Sequence, residues 1–258
     1  MTKGRGGRRG RGNQPFDVVV GRHSVAAALK AGRRVVTAVV VDGGVGGPVI
    51  DEIRALARAA AIPVSNVTGR DLEPLAGGDF HQGVAAYVEK LPPVLLEEIA
   101  AAAVSSGDPI VVLDHVEDPR NLGAVIRSAA ALGAAGVVVP DRRQAPITPA
   151  VGKAAEGGLE YVPVVSVGNV AQALRKLKNA GVWCYALEAD GEAVVGQFGF
   201  GKGAALVLGG EDAGVGGPAR RECDAVVAIP LAAGVNSINV AAATAVALFE
   251  YRRQYPLH

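Results

Sequence analysis

The sequence has few aromatic residues, which make up 4% of 258 residues, and it contains only two cysteines and one methionine. Cys184 and Cys223 lie far apart and cannot form a disulfide framework or a zinc knuckle, so each is expected to be a small buried residue. With so few large rings, the core must be built from Ala, Val, Leu and Ile. This composition favours helices packed on a Val-rich sheet.

Long apolar runs are absent as well. No stretch approaches the roughly 18 uninterrupted apolar residues that a membrane-spanning helix needs. The N-terminal region also lacks the apolar segment of a secretory signal, because residues 4–12 are all Gly or Arg. We therefore expect a soluble protein of the cytoplasm.

Positive and negative charges nearly balance over the whole chain, whose formal net charge is +1. The balance conceals a basic tail, because five of the 26 bases and none of the 25 acids lie in residues 1–12. The remainder then has 21 bases against 25 acids. We predict a disordered Gly/Arg-rich tail at 1–15, either a hook for a polyanion such as a nucleic acid or a solubilising extension. Counterion release favours the hook.

Residues 16–91 are predicted to form a small α/β domain, because short Val-rich runs alternate with helical patterns. Ser24 is expected to cap the first helix, which Gly32 ends. Neither a helix nor a strand continues easily through Pro92 and Pro93, so we predict a linker at 92–106. The predicted elements are helices from Ser24 to Lys30 and from Pro48, and strands at 18–20, 35–41, 62–64 and 83–88.

Residues 107–258 are predicted to form a larger domain of alternating strands and helices. This alternation is typical of a parallel sheet with helices on both faces. Ligands of such sheets bind beyond the C-terminal ends of the strands, so the loops after Leu113, Leu208 and Ile229 are the expected functional loops. The predicted strands are 110–114, 136–139, 161–164, 182–186, 204–208 and 225–229, and the predicted helices are 122–132, one near Ala150, 170–180 and 237–253.

The first of these loops runs from Asp114 into a helix that carries Arg127. Asn121 is a candidate N-cap of that helix. An ordinary strand-to-helix connection would explain the loop. However, a solitary Arg127 in a run of Ala, Val, Ile and Leu would be expensive to bury without an anionic or acceptor partner. Arg127 is therefore a candidate functional residue near the ligand-binding end of the sheet.

The other two loops combine glycine with polar side chains. After the second strand, Gly209 and Gly210 would let a ligand approach the backbone, and Glu211 follows them. In the third loop, Ser237 is most simply a helix N-cap, whereas Asn239 has no structural task that the sequence explains. We expect the three loops to meet at one crevice.

The residues of these loops resemble the motifs of the SpoU (TrmH-type) branch of the SPOUT RNA methyltransferases. The resemblance covers nearly the whole chain after the tail. In the small domain, the first and last stretches are similar to the substrate-binding domain of RlmB-type members, which act on large-subunit ribosomal RNA. The similar stretches are Asp118-Pro-Arg-Asn121-Leu-Gly-Ala-Val-Ile-Arg127, Leu208-Gly-Gly-Glu211-Asp-Ala-Gly214, Ile229-Pro-Leu231 with Ser237-Ile-Asn239-Val, and, in the small domain, Gly21-Arg-His-Ser-Val-Ala-Ala-Ala-Leu29 and His81-Gln-Gly-Val84.

The resemblance implies a SPOUT fold with a C-terminal trefoil knot, and transfer of a methyl group from S-adenosylmethionine to a ribose 2′-hydroxyl of RNA. It also implies a homodimer in which each site borrows from the partner subunit. No metal is expected, because the sulfonium is already an activated methyl donor. By position, the catalytic residues would be Arg127, Glu211, Asn239, Ser237 and Asn121, the cofactor-binding residues Gly209, Ile229, Ile238, Leu208 and Leu231, and the RNA-binding residues Arg5, Arg8, Arg9, Arg11 and Arg22.

The expected substrate is a guanosine of 23S ribosomal RNA, since the transfer-RNA enzymes of the family usually lack the small N-terminal domain. Transfer RNA, or a drug-binding site of the ribosome that is methylated for antibiotic resistance, is an alternative. An alternative of another class is a non-catalytic RNA-binding or ribosome-assembly protein, against which the presence of Arg127, Glu211 and Asn239 argues. Arg127 is expected to hold a phosphate or polarise the hydroxyl, because a guanidinium is a weak proton acceptor.

Overall fold

The N-terminal part of the chain forms a small sheet with three helices. The computed structural model of the protein describes residues 16–76, 81–210 and 214–257, so the predicted tail at 1–15 lies outside the described residues. The strands are β1 (Phe16–Val20), β2 (Val36–Asp42), β3 (Val64–Val67) and β4 (Val84–Glu89), and the helices are α1 (Arg22–Ala31), α2 (Pro48–Ala59) and α3 (Gly69–Ala76). The strand order is β1-β4-β2-β3, with β4 antiparallel to both neighbours and β3 parallel to β2.

Helix α1 begins earlier than predicted. Ser24 is not its N-cap, because the helix already begins at Arg22, after Gly21 has turned the chain with a φ of 96° that favours glycine. Ser24 is instead buried within the helix. Gly32, in the left-handed conformation at φ 62°, ends the helix as predicted.

The predicted linker at 92–106 is wrong for most of its length. Residues 96–106 form helix α4 (Leu96–Ser106), which Gly107 ends at φ 81°. Leu96, Ile99 and Ala103 are buried in the core of the larger sheet. Their spacing is that of one helical face. The two prolines on which the linker was predicted end the preceding domain, but both lie before the helix and so do not interrupt it.

The C-terminal part of the chain forms a parallel seven-stranded sheet flanked by helices, which confirms the predicted fold class. In the described residues its strands are β5 (Ile110–Asp114), β6 (Gly136–Pro140), β7 (Val164–Val167), β8 (Cys184–Leu187), β9 (Ala193–Val194), β10 (Ala205–Gly209) and β11 (Ala225–Ala228). The order is β7-β6-β5-β10-β8-β11-β9, and every pairing is parallel. The remaining helices are α5 (Pro119–Ala131), α6 (Pro149–Ala154), α7 (Val170–Asn179), α8 (Gly217–Glu222) and α9 (Val240–Gln254).

Strands β3 and β7 both begin later than predicted, and each follows a proline. The N–H of Ile62 donates to the carbonyl of Ala57, and the N–H of Tyr161 donates to that of Gly158, so both residues still belong to the turn that precedes the strand. Because the residues of these turns are apolar, they resemble the start of a strand in the sequence.

Two apolar layers cover the two faces of the larger sheet. Alternate residues of β5 point to opposite faces: Val111 packs in the layer that includes α5 and α9, and Val112 in the layer that includes α4 and α7. Both layers are rich in Val, Leu, Ile and Ala, as the composition predicts. The first layer also contains a cluster of aromatic rings, formed by Tyr185, Phe198, Phe200, Tyr251 and Tyr255. No helix among the described residues is both long and apolar enough to cross a membrane.

Tyr251 of α9 ties this core to two distant loops. Its side chain is fully buried, its hydroxyl donates to the carbonyl of Gly107 at 2.7 Å, and it accepts from the N–H of Gly203 at 2.7 Å. Burial raises the pKa of Tyr251, because the phenolate would lose its hydration.

We expect Tyr251→Phe to lower the free energy of unfolding by about 1–3 kcal/mol, because both backbone groups lose their partner inside the core. Urea unfolding followed by circular dichroism measures the change. Tyr161, whose side chain is exposed, provides the control: Tyr161→Phe should change stability by less than about 0.5 kcal/mol. Equal stability of the two variants would contradict the prediction.

Candidate active site

The C-terminal ends of four neighbouring parallel strands form the edge at which the predicted loops lie. The strands β5, β10, β8 and β11 are adjacent in the sheet. The first loop follows Asp114 at the end of β5, the second follows Gly209 at the end of β10, and the third begins at Ile229 after β11. The structure therefore places all three predicted loops along one edge of the sheet, where parallel sheets bind ligands.

Gly209 and Gly210 are positions where backbone packs on backbone. A Cβ atom on Gly209 would lie 1.8 Å from the carbonyl carbon of Gly214, and one on Gly210 would lie 2.3 Å from the carbonyl oxygen of His115. The N–H of Gly210 donates to the carbonyl of Asp114 at 2.9 Å. Leu208, in contrast, is buried in the core, so a ligand at this edge would meet only its main chain.

Two buried or partly buried carboxylates shape the chain next to Gly214. Asp114 is 3% exposed and accepts from the N–H of Gly216 at 2.9 Å, while its other oxygen lies 2.8 Å from Nδ1 of His115. Glu188, directly after β8, accepts from the N–H of Val215. Sequence reasoning missed Glu188; the available signal was an acid directly after a buried strand. Both carboxylates hold backbone N–H groups and so fix the chain at this edge of the sheet.

The first and third motifs meet through two asparagines. The side-chain Nδ2 of Asn239 donates to Oδ1 of Asn121 at 2.9 Å. The prediction that Asn121 caps α5 is wrong, because Asp118 caps it by accepting from the N–H of Arg120 at 2.8 Å. An aspartate one residue before Pro119 suits the cap position, since proline is favoured at the first position of a helix.

The prediction that Ser237 caps α9 is also wrong. The helix begins at Val240, and the side chain of Asn239 accepts from the N–H of Ala241 at 2.9 Å, so Asn239 is the N-cap. Asn239 thus has the structural task that the sequence did not reveal. Because its oxygen caps α9 and its nitrogen binds Asn121, both ends of the amide are held in place.

Arg127 is not buried, so the expected cost of burying it does not arise. Its side chain is 56% exposed, and Nη1 lies 2.9 Å from Oε1 of Glu156, which follows α6. Glu211, which the resemblance would place beside it, lies outside the described residues, as do the predicted RNA-binding residues Arg5, Arg8, Arg9 and Arg11. The structure therefore supplies a different carboxylate as the observed partner of Arg127.

The remaining predicted residues lie in the exposed segment between β11 and α9, or in the small domain. Ile229, Leu231 and Ile238 are half-buried, and Ser237 is exposed. Arg22, at the start of α1, donates from its backbone N–H to Oε1 of Gln82 at 2.9 Å and from Nε to the carbonyl of Gln82 at 3.1 Å. Arg22 thus fixes a loop of its own domain.

The two cysteines are structural. Cys184 is buried and Cys223 partly buried, and neither forms a disulfide. Burial raises the pKa of the Cys184 thiol and raises that of Cys223 to about 12, which suppresses the reactive thiolate at neutral pH. In the described part of the chain, His, Cys, Asp and Glu form no group of three that could hold a metal ion.

Two family models match the chain in separate ranges. The model of the SpoU rRNA Methylase family matches residues 108–249, which include all three predicted motifs. The model described as RNA 2′-O ribose methyltransferase substrate binding matches residues 18–94, which include the small sheet.

Full-length relatives and solved structures agree with these matches. The chain is 37% identical over 243 residues to the 23S rRNA (guanosine-2′-O-)-methyltransferase RlmB of Xanthomonas axonopodis, covering 92% of this chain and 96% of the relative. It is similar to the crystal structure of the SpoU methyltransferase AviRb of Streptomyces viridochromogenes with its cofactor AdoMet (TM-score 0.76, 28% identity, 93% of this chain and 91% of that one). An AdoMet-bound rRNA methyltransferase of Sinorhizobium meliloti has the same TM-score of 0.76 at 28% identity, covering 95% of this chain and 89% of that one. The chain belongs to the SpoU rRNA methylase family and is an RNA 2′-O-methyltransferase that uses S-adenosylmethionine.

Proposed function

We propose that the protein methylates the ribose 2′-hydroxyl of a guanosine in 23S ribosomal RNA. The observation that carries the site assignment is the hydrogen bond between Asn121 and Asn239, which joins two motifs at the ligand-binding edge of the sheet. The assignment of the substrate rests on the RlmB relative, whose similarity extends through both parts of the chain. We propose that the small domain at 16–91 binds RNA. We also propose that α4 belongs to the methyltransferase domain, which continues from 107 to 258.

The residues at the strand edge fit S-adenosylmethionine. Gly209 is half-buried and lets the backbone of Gly214 pack against the end of β10, so that main-chain groups form this edge, and Ile229, Leu231 and Ile238 offer partly exposed apolar side chains. Such a mixture of main-chain polar groups and apolar surface suits a nucleoside whose arm carries a sulfonium and an amino acid. When bound, the cofactor supplies an activated methyl group, and these residues hold and orient it.

The polar residues would act on the RNA. A ribose hydroxyl is a weak nucleophile at neutral pH, so it must be oriented and its developing negative charge stabilised. The guanidinium of Arg127 can donate hydrogen bonds to the 2′-oxygen or to a neighbouring phosphate. The paired amides of Asn121 and Asn239 hold the start of α5 and α9 at the crevice, and we propose that Ser237 and Glu211 complete the site.

We further propose that the enzyme is a homodimer, that its C-terminal part carries the knot implied by the resemblance, and that it works in the cytoplasm, where ribosomal RNA is assembled. One face of α9 supports the dimer. Val246 and Phe249 are 40% and 66% exposed on that face, together with Ala242 and next to Arg253. An apolar stripe of this kind on a helix that begins in the site would let a partner subunit cover α9 and reach the crevice.

A methyl-transfer assay tests the proposed function. The protein is incubated with labelled S-adenosylmethionine and total RNA from cells that lack this gene, and the RNA is digested to nucleosides. Label in 2′-O-methylguanosine of 23S RNA is the expected result. Label in transfer RNA would overturn the substrate, and no label in any RNA with folded protein would indicate a non-catalytic RNA-binding protein.

The basic tail should contribute to RNA affinity. We expect deletion of residues 1–12 to weaken RNA binding at low salt and to make log Kd less dependent on log salt concentration, because up to five counterion-releasing contacts are lost. Filter binding at several salt concentrations measures the slope, and calorimetry should show unchanged affinity for the cofactor. An unchanged slope would mean that the tail only aids solubility.

A further inference from the structure

One short segment joins the small domain to Arg127. It runs from Glu156 to Glu160, between α6 and β7, and includes a 3-10 helix at Gly158–Glu160. At its start, Glu156 pairs with the guanidinium of Arg127 at 2.9 Å. At its end, Glu160 pairs with Arg34 of the small domain. The segment thus contacts Arg127 at one end and the small domain at the other.

The contact with the small domain is buried and specific. The side chains of Arg34 and Glu160 are 7% and 2% exposed, and Nε of Arg34 donates to Oε2 of Glu160 at 3.0 Å. The neighbouring Arg33 donates from Nη1 to the carbonyl of Leu159 at 3.0 Å. Burying two charges requires well-made hydrogen bonds, so this ion pair fixes one arrangement of the two domains closely.

The backbone of the segment is fixed by close packing. Glu156 has a φ of 44°, in the left-handed region that non-glycine residues rarely adopt, and Gly157 follows with a φ of 90°. A Cβ on Gly157 would lie 2.6 Å from Cβ of Ala27 in α1, and one on Gly158 would lie 3.2 Å from Cα of Arg127. The chain reversal therefore places the segment directly between α1 and α5, with the Glu156 side chain beside Arg127.

We propose that Glu156 is a positioning residue for methyl transfer, orienting the Arg127 guanidinium, and that the Arg34–Glu160 ion pair couples the RNA-binding domain to this orientation. The proposal rests on the proposed role of Arg127. The pair between Arg127 and Glu156 is largely exposed, and exposed ion pairs contribute little to stability. Its consequence lies in where it holds the guanidinium before RNA arrives, since small displacements of a catalytic group lower the rate strongly.

The first test separates turnover from binding. We expect Glu156→Ala to lower kcat about tenfold, with the KM for RNA and the Kd for S-adenosylmethionine within about twofold of wild type. Glu156→Gln keeps an oxygen acceptor at the same reach and should restore most of kcat. The matched control is Glu222→Ala, which removes an ion pair (2.9 Å) with the similarly exposed Arg175 on the other face of the sheet and should leave kcat unchanged.

The second test uncouples the domains without leaving a buried charge. Removing one partner of a buried pair risks unfolding, so both are replaced in Arg34→Met/Glu160→Met. We expect the double variant to fold and to lose kcat about fivefold, because Glu156 is no longer held beside Arg127.

The outcomes distinguish this inference from the proposed function. Wild-type kcat in Glu156→Ala, or in the folded double variant, while Arg127→Ala is inactive, would overturn the positioning role and leave the site assignment intact. Tighter RNA binding with unchanged kcat in Glu156→Ala would do the same, since Glu156 would then be only a negative charge near the RNA. Wild-type kcat in Arg127→Ala would overturn both.

Discussion

Arg127→Ala is expected to lower kcat by at least about 100-fold, the range found when a group that stabilises developing charge is removed. The side chain is more than half exposed and makes its ion pair with Glu156 at the surface, so its loss should change the free energy of unfolding by less than about 1 kcal/mol. Methyl transfer from labelled cofactor, measured at saturating RNA and cofactor, separates the loss of turnover from the loss of binding.

The control for this variant is another exposed arginine of the same domain. Arg175 lies on α7, whose buried face packs on the opposite side of the sheet from α5. Arg175→Ala should retain wild-type kcat. If Arg127→Ala also retained it, the assignment of Arg127 to the catalytic machinery would be wrong. If both variants lost kcat at saturating RNA with folded protein, the loss would not be specific to Arg127 and would contradict the assignment as well.

Asn239 is expected to show two separable effects, because its side chain joins two different groups of the described structure, the N–H of Ala241 and the side chain of Asn121. Asn239→Ala should lower kcat by about 100-fold and also destabilise α9 by about 1 kcal/mol, the usual cost of losing an N-cap. Asn239→Asp keeps an oxygen for the N–H of Ala241 but cannot donate to Asn121. It should therefore retain most of the stability while losing activity.

Thermal unfolding and the methyl-transfer assay on these two variants resolve the two roles. Asn169, which caps α7 by accepting from the N–H of Gln172 at 2.9 Å, provides a matched cap away from the site. Asn169→Ala should lose similar stability and keep its activity. Full activity in Asn239→Asp would show that the Asn121–Asn239 hydrogen bond is dispensable for methyl transfer.

The sequence was sufficient for the features that depend on local pattern. The Val-rich runs that became β5, β6 and β10 lie within one residue of their predicted ends, because a buried parallel strand is apolar throughout. Gly32 ends its helix for another local reason, because glycine adopts the left-handed conformation that terminates a helix. At α4 two local signals compete: the prolines at 92 and 93 predict a linker, whereas the apolar face of the Ala-rich run that follows them predicts a helix. The structure follows the second signal.

The geometry of the site depends on contacts between residues far apart in the chain, and this is why it could not be predicted in full. The positions of Asn121 and Asn239 were predicted as polar site residues from their motifs, but their mutual hydrogen bond follows from the neighbouring packing of α5 and α9. The role of Asn239 as a cap was hidden because Ser237 offered an equally good cap two residues earlier. Glu156 had no motif at all, and its place beside Arg127 results from a left-handed turn in a non-glycine residue.

The strand order of the larger sheet has a consequence for how the protein folds as it is synthesised. Strand β5 pairs with β10, the middle strand of the sheet, so that Ile110 aligns with Ala205. Helix α9, which contains Tyr251, comes later still in the chain. Parallel pairings over such sequence distances form slowly, because the chain loses the conformational entropy of the long loop before the stabilising contacts form. In contrast, every pairing of the small sheet lies between residues 16 and 89. We therefore expect the small sheet to form on the ribosome before α9, the last helix of the methyltransferase domain, has been synthesised. The nascent chain would then have a folded RNA-binding domain before it has methyltransferase activity.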